Sequence, residues 1–164
     1  SGKISQEKWE KIGNSWYYFD KNGIMLSNTI FNGYLFSNSG AMATNSWVKI
    51  NEQWYYAQAS GKPTQQKWEN IGNTWYFFNA EGVMQKWWVK DGNTWYYLNG
   101  NGEMQTGWLQ DGGKWYYLEN SGAMKASQWF EVSGKWYYVD GSGALAVNTT
   151  VGGYTVNGNG EWVK

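Results

Sequence analysis

The stretch Gly92–Gly102, "GNTWYYLNGNG", packs four large apolar side chains between turn residues, and it recurs. Close copies are "GNSWYYFDKNG" from Gly13, "GKWYYLENSG" from Gly113 and "GKWYYVDGSG" from Gly134. Aligning the Trp that opens each motif gives Trp16, Trp54, Trp75, Trp95, Trp115 and Trp136. A second Trp stands seven residues upstream each time, at Trp9, Trp47, Trp68, Trp88, Trp108 and Trp129. A Gly follows seven residues downstream, at Gly23, Gly61, Gly82, Gly102, Gly122 and Gly143. Two shorter, degenerate copies, "NGYLFSNSG" ending at Gly40 and "GGYTVNGNG" ending at Gly160, fit the same frame. Eight copies at a spacing of 20 or 21 residues, or 17 into the degenerate ones, define one repeat array over residues 1–164.

Each copy reads as a β-hairpin. Trp-Tyr-Tyr followed by Phe, Leu or Val suits a strand, and Asp20–Gly23 or Asn99–Gly102 suits a turn that needs positive φ. A short return strand then carries Met25, Met42, Met84, Met104 or Met124 two residues past the Gly. An isolated hairpin is marginal in water, so stacked hairpins sharing an apolar spine are expected: an all-β solenoid with little or no helix.

Composition narrows the function. The chain has 13 Lys, 13 acidic residues, no Arg and no net charge, and aromatics make up 20% of it. Nucleic-acid binding needs a cationic excess, and so does adhesion to an anionic membrane by charge. No apolar run reaches the length of a membrane span, and no signal peptide is visible. The chain contains neither Cys nor His. That removes thiolate and imidazole metal sites, thiol nucleophiles and the commonest general base, so neither a metal nor a catalytic cofactor is expected. Asp20, Glu81, Glu103, Glu119 and Asp140 fall one to a turn, with no spacing that would converge an acid/base pair. The start at Ser1-Gly2 is expected of a piece excised from a larger surface protein.

The copies also separate the two faces of the strand, because side chains alternate. The first Tyr is present in all eight: Tyr17, Tyr34, Tyr55, Tyr76, Tyr96, Tyr116, Tyr137 and Tyr154. Two residues on come Phe19, Phe36, Ala57, Phe78, Leu98, Leu118, Val139 and Val156, never a polar side chain. This is the expected spine. On the other face the degenerate copies replace Trp and the second Tyr by Gly33 with Leu35 and by Gly153 with Thr155. Either these copies pack differently, or the Trp pair and the second Tyr form a binding face that they lack. Rings converging without a carboxylate attract a soft, poorly hydrated cation such as a quaternary ammonium group. One such cage binds weakly, and an array of cages gains by multivalency.

Trp, a seven-residue interval, Trp-Tyr-Tyr-Phe, a Gly turn and then "GEMQTGW" (Gly102–Trp108) resemble the choline-binding repeats of pneumococcal surface proteins and their phages. The closing "NTTVGGYTVNGNGEWVK" is similar to that family's atypical terminal repeat. The resemblance implies a non-catalytic module that anchors its carrier to phosphocholine on teichoic and lipoteichoic acids at the Gram-positive cell wall, outside the cell. It also implies choline held between consecutive hairpins by two Trp of one repeat, a Tyr of the next and a Met. Carried over, this gives Trp68, Trp75 and Met84 with Tyr97; Trp88, Trp95 and Met104 with Tyr117; and Trp108, Trp115 and Met124 with Tyr138. A fourth cage would join Trp47 and Trp54 to Phe77, with Pro63 in the Met position. On the same pattern Trp9 and Trp16 meet only Leu35, and Trp129 and Trp136 only Thr155, so both pairs should lack a third ring. Trp87 departs from the family pattern, which has Gly there. The Met residues fit plain packing as well as ligand contact. The rival is a glucan-binding aromatic array, which would present flat platforms flanked by amides in place of enclosed cages.

Overall fold

The computed structural model describes residues 6–164, so Ser1 and Gly2 lie outside it. All regular structure among these residues is β, in eight antiparallel hairpins and one closing strand. They fall into two compact units, Ser1–Gln85 and Lys86–Lys164. The first unit holds β1 (Lys8–Ile12) with β2 (Ser15–Phe19), β3 (Thr29–Phe31) with β4 (Tyr34–Phe36), β5 (Ser46–Ile50) with β6 (Gln53–Ala57), and β7 (Lys67–Ile71) with β8 (Thr74–Phe78). The second holds β9 (Trp87–Asp91) with β10 (Thr94–Leu98), β11 (Gly107–Asp111) with β12 (Lys114–Leu118), and β13 (Gln128–Val132) with β14 (Lys135–Val139). It ends with β15 (Thr149–Val151), β16 (Tyr154–Val156) and β17 (Trp162–Val163) in one three-stranded sheet.

The hairpin itself differs from the sequence expectation. The Trp-Tyr-Tyr strand forms its full ladder with the upstream Trp segment, as in Trp108↔Tyr117 and Gln110↔Trp115. The Met leg that was expected to return as a strand is reduced to one bridge, Leu118↔Met124 in the same copy. The reason lies in the turns. The upstream turn has two central residues, both at positive φ in Gly72-Asn73 and in Gly112-Gly113, a geometry that matches the twist of antiparallel strands. The downstream turn closes around a single residue. Asp140, for example, receives Gly143 N at its carbonyl and donates its own N–H to Ala144 O, after which the chain departs.

Only half of the expected spine is core: the first Tyr of each copy is half-buried, or exposed at Tyr154, and of the positions two residues on Phe19 is half-buried while the rest are buried. Phe36, Ala57, Phe78, Leu98 and Val139 are fully buried, and Leu118 and Val156 are 1% exposed. By contrast the strand Trp residues Trp16, Trp54, Trp75, Trp95, Trp115 and Trp136 remain 37–43% exposed, too much for core packing.

Within each unit consecutive hairpins are stitched by main-chain bonds. Met42 N donates to Trp16 O at 2.7 Å, Met84 N to Trp54 O at 2.8 Å, Met124 N to Trp95 O at 2.9 Å and Leu145 N to Trp115 O at 2.8 Å. The turn Gly is fixed by the same stacking. Gly122 has φ +81 to +89 like its counterparts Gly102 and Gly61, and a Cβ on Gly122 would lie 2.5 Å from Met104 Sδ of the preceding copy. Gly61 meets Met42 in the same way, at 2.4 Å.

Two of the turn carboxylates, Asp20 and Asp140, serve the backbone. Asp140 accepts from Ser142 Oγ at 2.6 Å, Ser142 N at 2.9 Å and Ala144 N at 3.1 Å. The Ser142 hydroxyl chiefly holds its carboxyl below the ordinary 3.8, with the two N–H groups and Lys114 adding to the effect against the cost of burial. A lowered folded value means stability present above the unfolded pKa and lost as pH falls through the folded one. Asn79, Asn99 and Asn157 accept from the equivalent N–H groups in other copies.

Two outcomes are expected. Leu118→Ala should lower unfolding free energy by about 2–5 kcal/mol, the scale of a core Leu truncation, measured by urea denaturation. Asp140→Asn should keep the turn yet flatten the loss of melting temperature as pH drops below 3.8, whereas the wild type steepens there.

Candidate aromatic cages

Stacking is head to tail, and this decides which rings meet. Within each unit, the face of one hairpin that carries the Trp pair and second Tyr packs against the opposite face of the next hairpin, which carries the first Tyr and the spine residue. Trp9 lies 5.2 Å from Tyr34 at 82° and 5.4 Å from Phe36, nearly parallel. Trp47 lies 4.9 Å from Tyr76, Trp88 5.0 Å from Tyr116, Trp108 4.9 Å from Tyr137 and Trp129 5.9 Å from Tyr154. Within a hairpin the two Trp rings form a corner. Trp9 and Trp16 stand at 82°, Trp47 and Trp54 at 89°, and Trp108 and Trp115 at 85°, with centroids 6.2–6.4 Å apart. Two perpendicular indoles and a third ring set edge-on to the first leave an open-topped box.

These boxes are cavities. The first, about 340 Å³, is lined by Trp9, Trp16, Tyr34, Met42 and Ser60. Another of 260 Å³ is lined by Trp88, Trp95, Tyr116, Met124 and Ser142. Trp108, Trp115, Tyr137 and Leu145 line one of 340 Å³, with Val147, Gly158 and Asn159 at its edge. Near the C-terminus Trp129, Trp136, Tyr154 and Trp162 enclose 210 Å³ with four rings and nothing else. All lie at or below the lower end of the roughly 300–1,000 Å³ typical of sites for drug-sized ligands. They suit a small head group.

The geometry corrects the expected partners. Tyr117 and Tyr138 do not close the boxes of the preceding hairpin; each pairs across its own hairpin, with Trp108 at 5.0 Å and Trp129 at 5.3 Å. Tyr97 likewise faces Trp88 at 5.0 Å, and Phe77 faces Trp68 at 5.0 Å, buried to 7% exposure. Met104 is not in the Trp88–Trp95 box, which takes Met124, and Met124 is not in the Trp108–Trp115 box, which takes Leu145. The Trp47–Trp54 pair receives Tyr76, and its hydrogen-bonded neighbour is Met84 rather than Pro63. Trp68, Trp75 and Met84 belong to the first unit and Tyr97 to the second. The terminal pairs expected to lack a third ring both have one, Tyr34 for Trp9 and Trp16, and Tyr154 for Trp129 and Trp136. The sequence does carry a signal for these closing rings: the first Tyr is the only aromatic present in every copy, degenerate ones included.

Polar contacts tune the boxes without closing them. Trp88 Nε1 donates to Asp111 Oδ2 at 2.9 Å, tying the first wall of one box to the next hairpin. Burial, with Asp111 nearby, raises the Tyr97 hydroxyl above its ordinary 10.0, so it stays a neutral phenol at physiological pH. Trp87 holds φ +66 and lies 6.2 Å from Tyr97, its ring end 3.3 Å from where a Cβ on Gly100 would sit. It leans on its own hairpin and does not line the Trp88–Trp95 box. Among the described residues no group of His, Cys, Asp or Glu could hold a metal.

Sequence models of the choline-binding repeat match residues 7–47, 64–106, 88–129 and 123–162, and a cell wall binding repeat matches residues 45–62. The chain belongs to the choline-binding repeat family. Such repeats are a non-catalytic binding module. The fold is similar to crystal structures of choline binding protein F from Streptococcus pneumoniae, at 43% identity and TM-score 0.80 over 95% of this chain. It is also similar to the modular autolysin LytC of the same organism, at 31% identity and TM-score 0.82 over 97% of this chain. The choline-binding domain of CbpL matches over 95% of this chain at 29% identity and TM-score 0.55. The chain spans 57% of the choline binding protein F chain and 38% of the LytC chain. No match was found among curated protein sequences.

Exchange of the two tyrosines tests the corrected geometry. Tyr116→Leu should weaken tetramethylammonium binding at the Trp88–Trp95 box by roughly 2- to 30-fold, the worth of one ring. Tyr117→Leu should leave that box unchanged, with both read by the indole N–H shifts of Trp88 and Trp95.

Proposed function

We propose that this chain binds the trimethylammonium head group of choline in its aromatic boxes. Through them it attaches its parent protein, without a covalent bond, to phosphocholine on teichoic and lipoteichoic acids at the outer surface of a Gram-positive cell. The observation that carries this reading is the C-terminal box, where four aromatic rings form the entire lining. A sugar in such a space would bury hydroxyl groups with almost no partners, at a cost of about 1–3 kcal/mol each. A quaternary ammonium ion needs no hydrogen bonds and is drawn to the ring faces. The boxes at Trp9–Trp16, Trp47–Trp54, Trp88–Trp95 and Trp108–Trp115 repeat the Trp corner and Tyr wall with an aliphatic or thioether floor, and Trp68 with Trp75 supplies the same pair. That several weak sites recur at fixed spacing fits a polymer bearing many copies of one ligand.

Free choline at millimolar concentration should raise the melting temperature and elute the protein from a quaternary-amine resin. Elution by glucan instead, with indifference to choline, would establish the carbohydrate reading. Lacking His, the boxes should bind choline equally from pH 6 to pH 8 by calorimetry.

A further inference from the structure

On the face that carries each Trp pair, four side chains form a square. In the first hairpin Trp9 stands opposite Tyr18, and Lys11 stands opposite Trp16. The fourth corner therefore sits at the rim of the box, and its chemistry changes along the chain. It is Lys11, Lys49 and Lys90 in three hairpins, Asn70 and Gln110 in two, and Glu131 in the last full copy. All six are exposed. The lysines lie over the indole they face, with Lys11 Nζ 6.0 Å from the Trp16 ring centroid, Lys49 Nζ 5.8 Å from Trp54 and Lys90 Nζ 6.0 Å from Trp95.

Other charges near the boxes sharpen the contrast between the ends. The first box carries a second cation, Lys62, 5.6 Å from the ring of its third wall, Tyr34. Lys49 shares its charge with Glu52 at 3.3 Å, and Trp88, in the Lys90 box, is hydrogen-bonded to Asp111. At the C-terminal box Glu131 faces Trp136, while Lys164 lies 5.7 Å from the Trp162 ring and Lys135 is engaged with Glu161 at 2.8 Å. The first box is thus flanked by two ammonium groups, and the C-terminal box by a carboxylate and one ammonium.

We infer that the residue facing the second Trp sets which form of the ligand each box prefers. The Lys-rimmed boxes, above all the first, select the phosphate ester of choline. The Glu131-rimmed C-terminal box selects the bare cation. This rests on the reading of the boxes as trimethylammonium sites. A rim ammonium opposes the cationic head but attracts a phosphate carrying roughly −1.5 to −2 charges at neutral pH, and a rim carboxylate does the reverse. At such distances in a water-like dielectric, one unit charge alters an equilibrium constant roughly threefold, and salt attenuates it over a Debye length of about 10 Å.

The test uses the full chain, labelled with ¹⁵N, at low salt. The indole N–H signals of Trp16 and Trp136 report the two boxes separately during titration with choline chloride and with phosphocholine. The ratio of the choline Kd to the phosphocholine Kd should be higher at Trp16 than at Trp136. Lys11→Glu should lower that ratio at Trp16 by roughly 30- to 80-fold before salt attenuates it, the effect of a two-unit change of rim charge on that phosphate, and leave Trp136 unmoved. Glu131→Lys should raise the ratio at Trp136. Equal ratios in the two boxes, or variants that shift both ligands alike, would overturn the inference while leaving the boxes as choline sites. Binding of the neutral isostere 3,3-dimethylbutanol as tightly as choline, or no response to either ligand, would sink the box reading and this inference with it.

Discussion

Everything in this structure follows from one contact, the packing of a Trp-bearing hairpin face onto the Tyr-bearing face of the hairpin after it. A hairpin has two unlike faces. Stacking in a single direction can only join a front to a back, so the walls of a box never come from equivalent positions. The Trp corner belongs to one copy and the closing Tyr to the next, as in Trp108 and Trp115 with Tyr137. The buried column within each unit, Phe36, Ala57 and Phe78 in the first and Leu98, Leu118, Val139 and Val156 in the second, supports this contact but does not create it. It keeps the faces at a spacing where edge contacts of 4.9–5.9 Å are possible and a head group still fits between them.

That division of labour explains why so much aromatic surface stays in water. Burying the strand Trp residues would stabilise the stack further, since each ring carries a large apolar area. Instead they remain about two-fifths exposed, held at right angles to their partners by the ladder register. The rings are fixed by packing within the protein itself, which limits the ordering entropy that a bound group would cost. The stacked turns contribute to that rigidity. Gly122 admits Met104 Sδ into the space a Cβ would fill, and this locks one copy's turn onto the floor of its neighbour.

Much of this was legible in the sequence. The Trp, Tyr and Gly frame fixes the number of copies, and the never-polar position after the first Tyr identifies the buried column. Alternation along a strand tells which residues share a face. It does not tell which face meets which, and the family pattern carried over by position puts Tyr117 and Tyr138 in boxes that the head-to-tail stack closes with Tyr116 and Tyr137. The two-residue turn at Gly112-Gly113 is legible too, as a Gly-rich hairpin signal, but the Asn- and Gly-rich downstream turn is an equally good one, and sequence alone does not rank the two legs as ladder partners. Neither the charge at the rim nor the four-ring C-terminal box announces itself in a repeat consensus. Both come from departures, Glu131 from Lys and Trp162 from Met, whose meaning depends on register.

The degenerate copies then look different. Read alone, "NGYLFSNSG" and "GGYTVNGNG" have lost the Trp corner and with it any box of their own. In a head-to-tail stack a copy has two duties, to open a box toward the next hairpin and to close the one behind. These two copies have given up the first and kept the second, since Tyr34 closes on Trp9 and Trp16 and Tyr154 on Trp129 and Trp136. Retention of Tyr therefore has a cause apart from the core in five copies, where Tyr34, Tyr76, Tyr116, Tyr137 and Tyr154 each lie against the Trp of the copy before. The last copy goes further. Its Met position, two residues past Gly160, holds Trp162 as a fourth wall for the box behind. That makes the Trp129–Trp136 box the most fully aromatic of the four cavities described above.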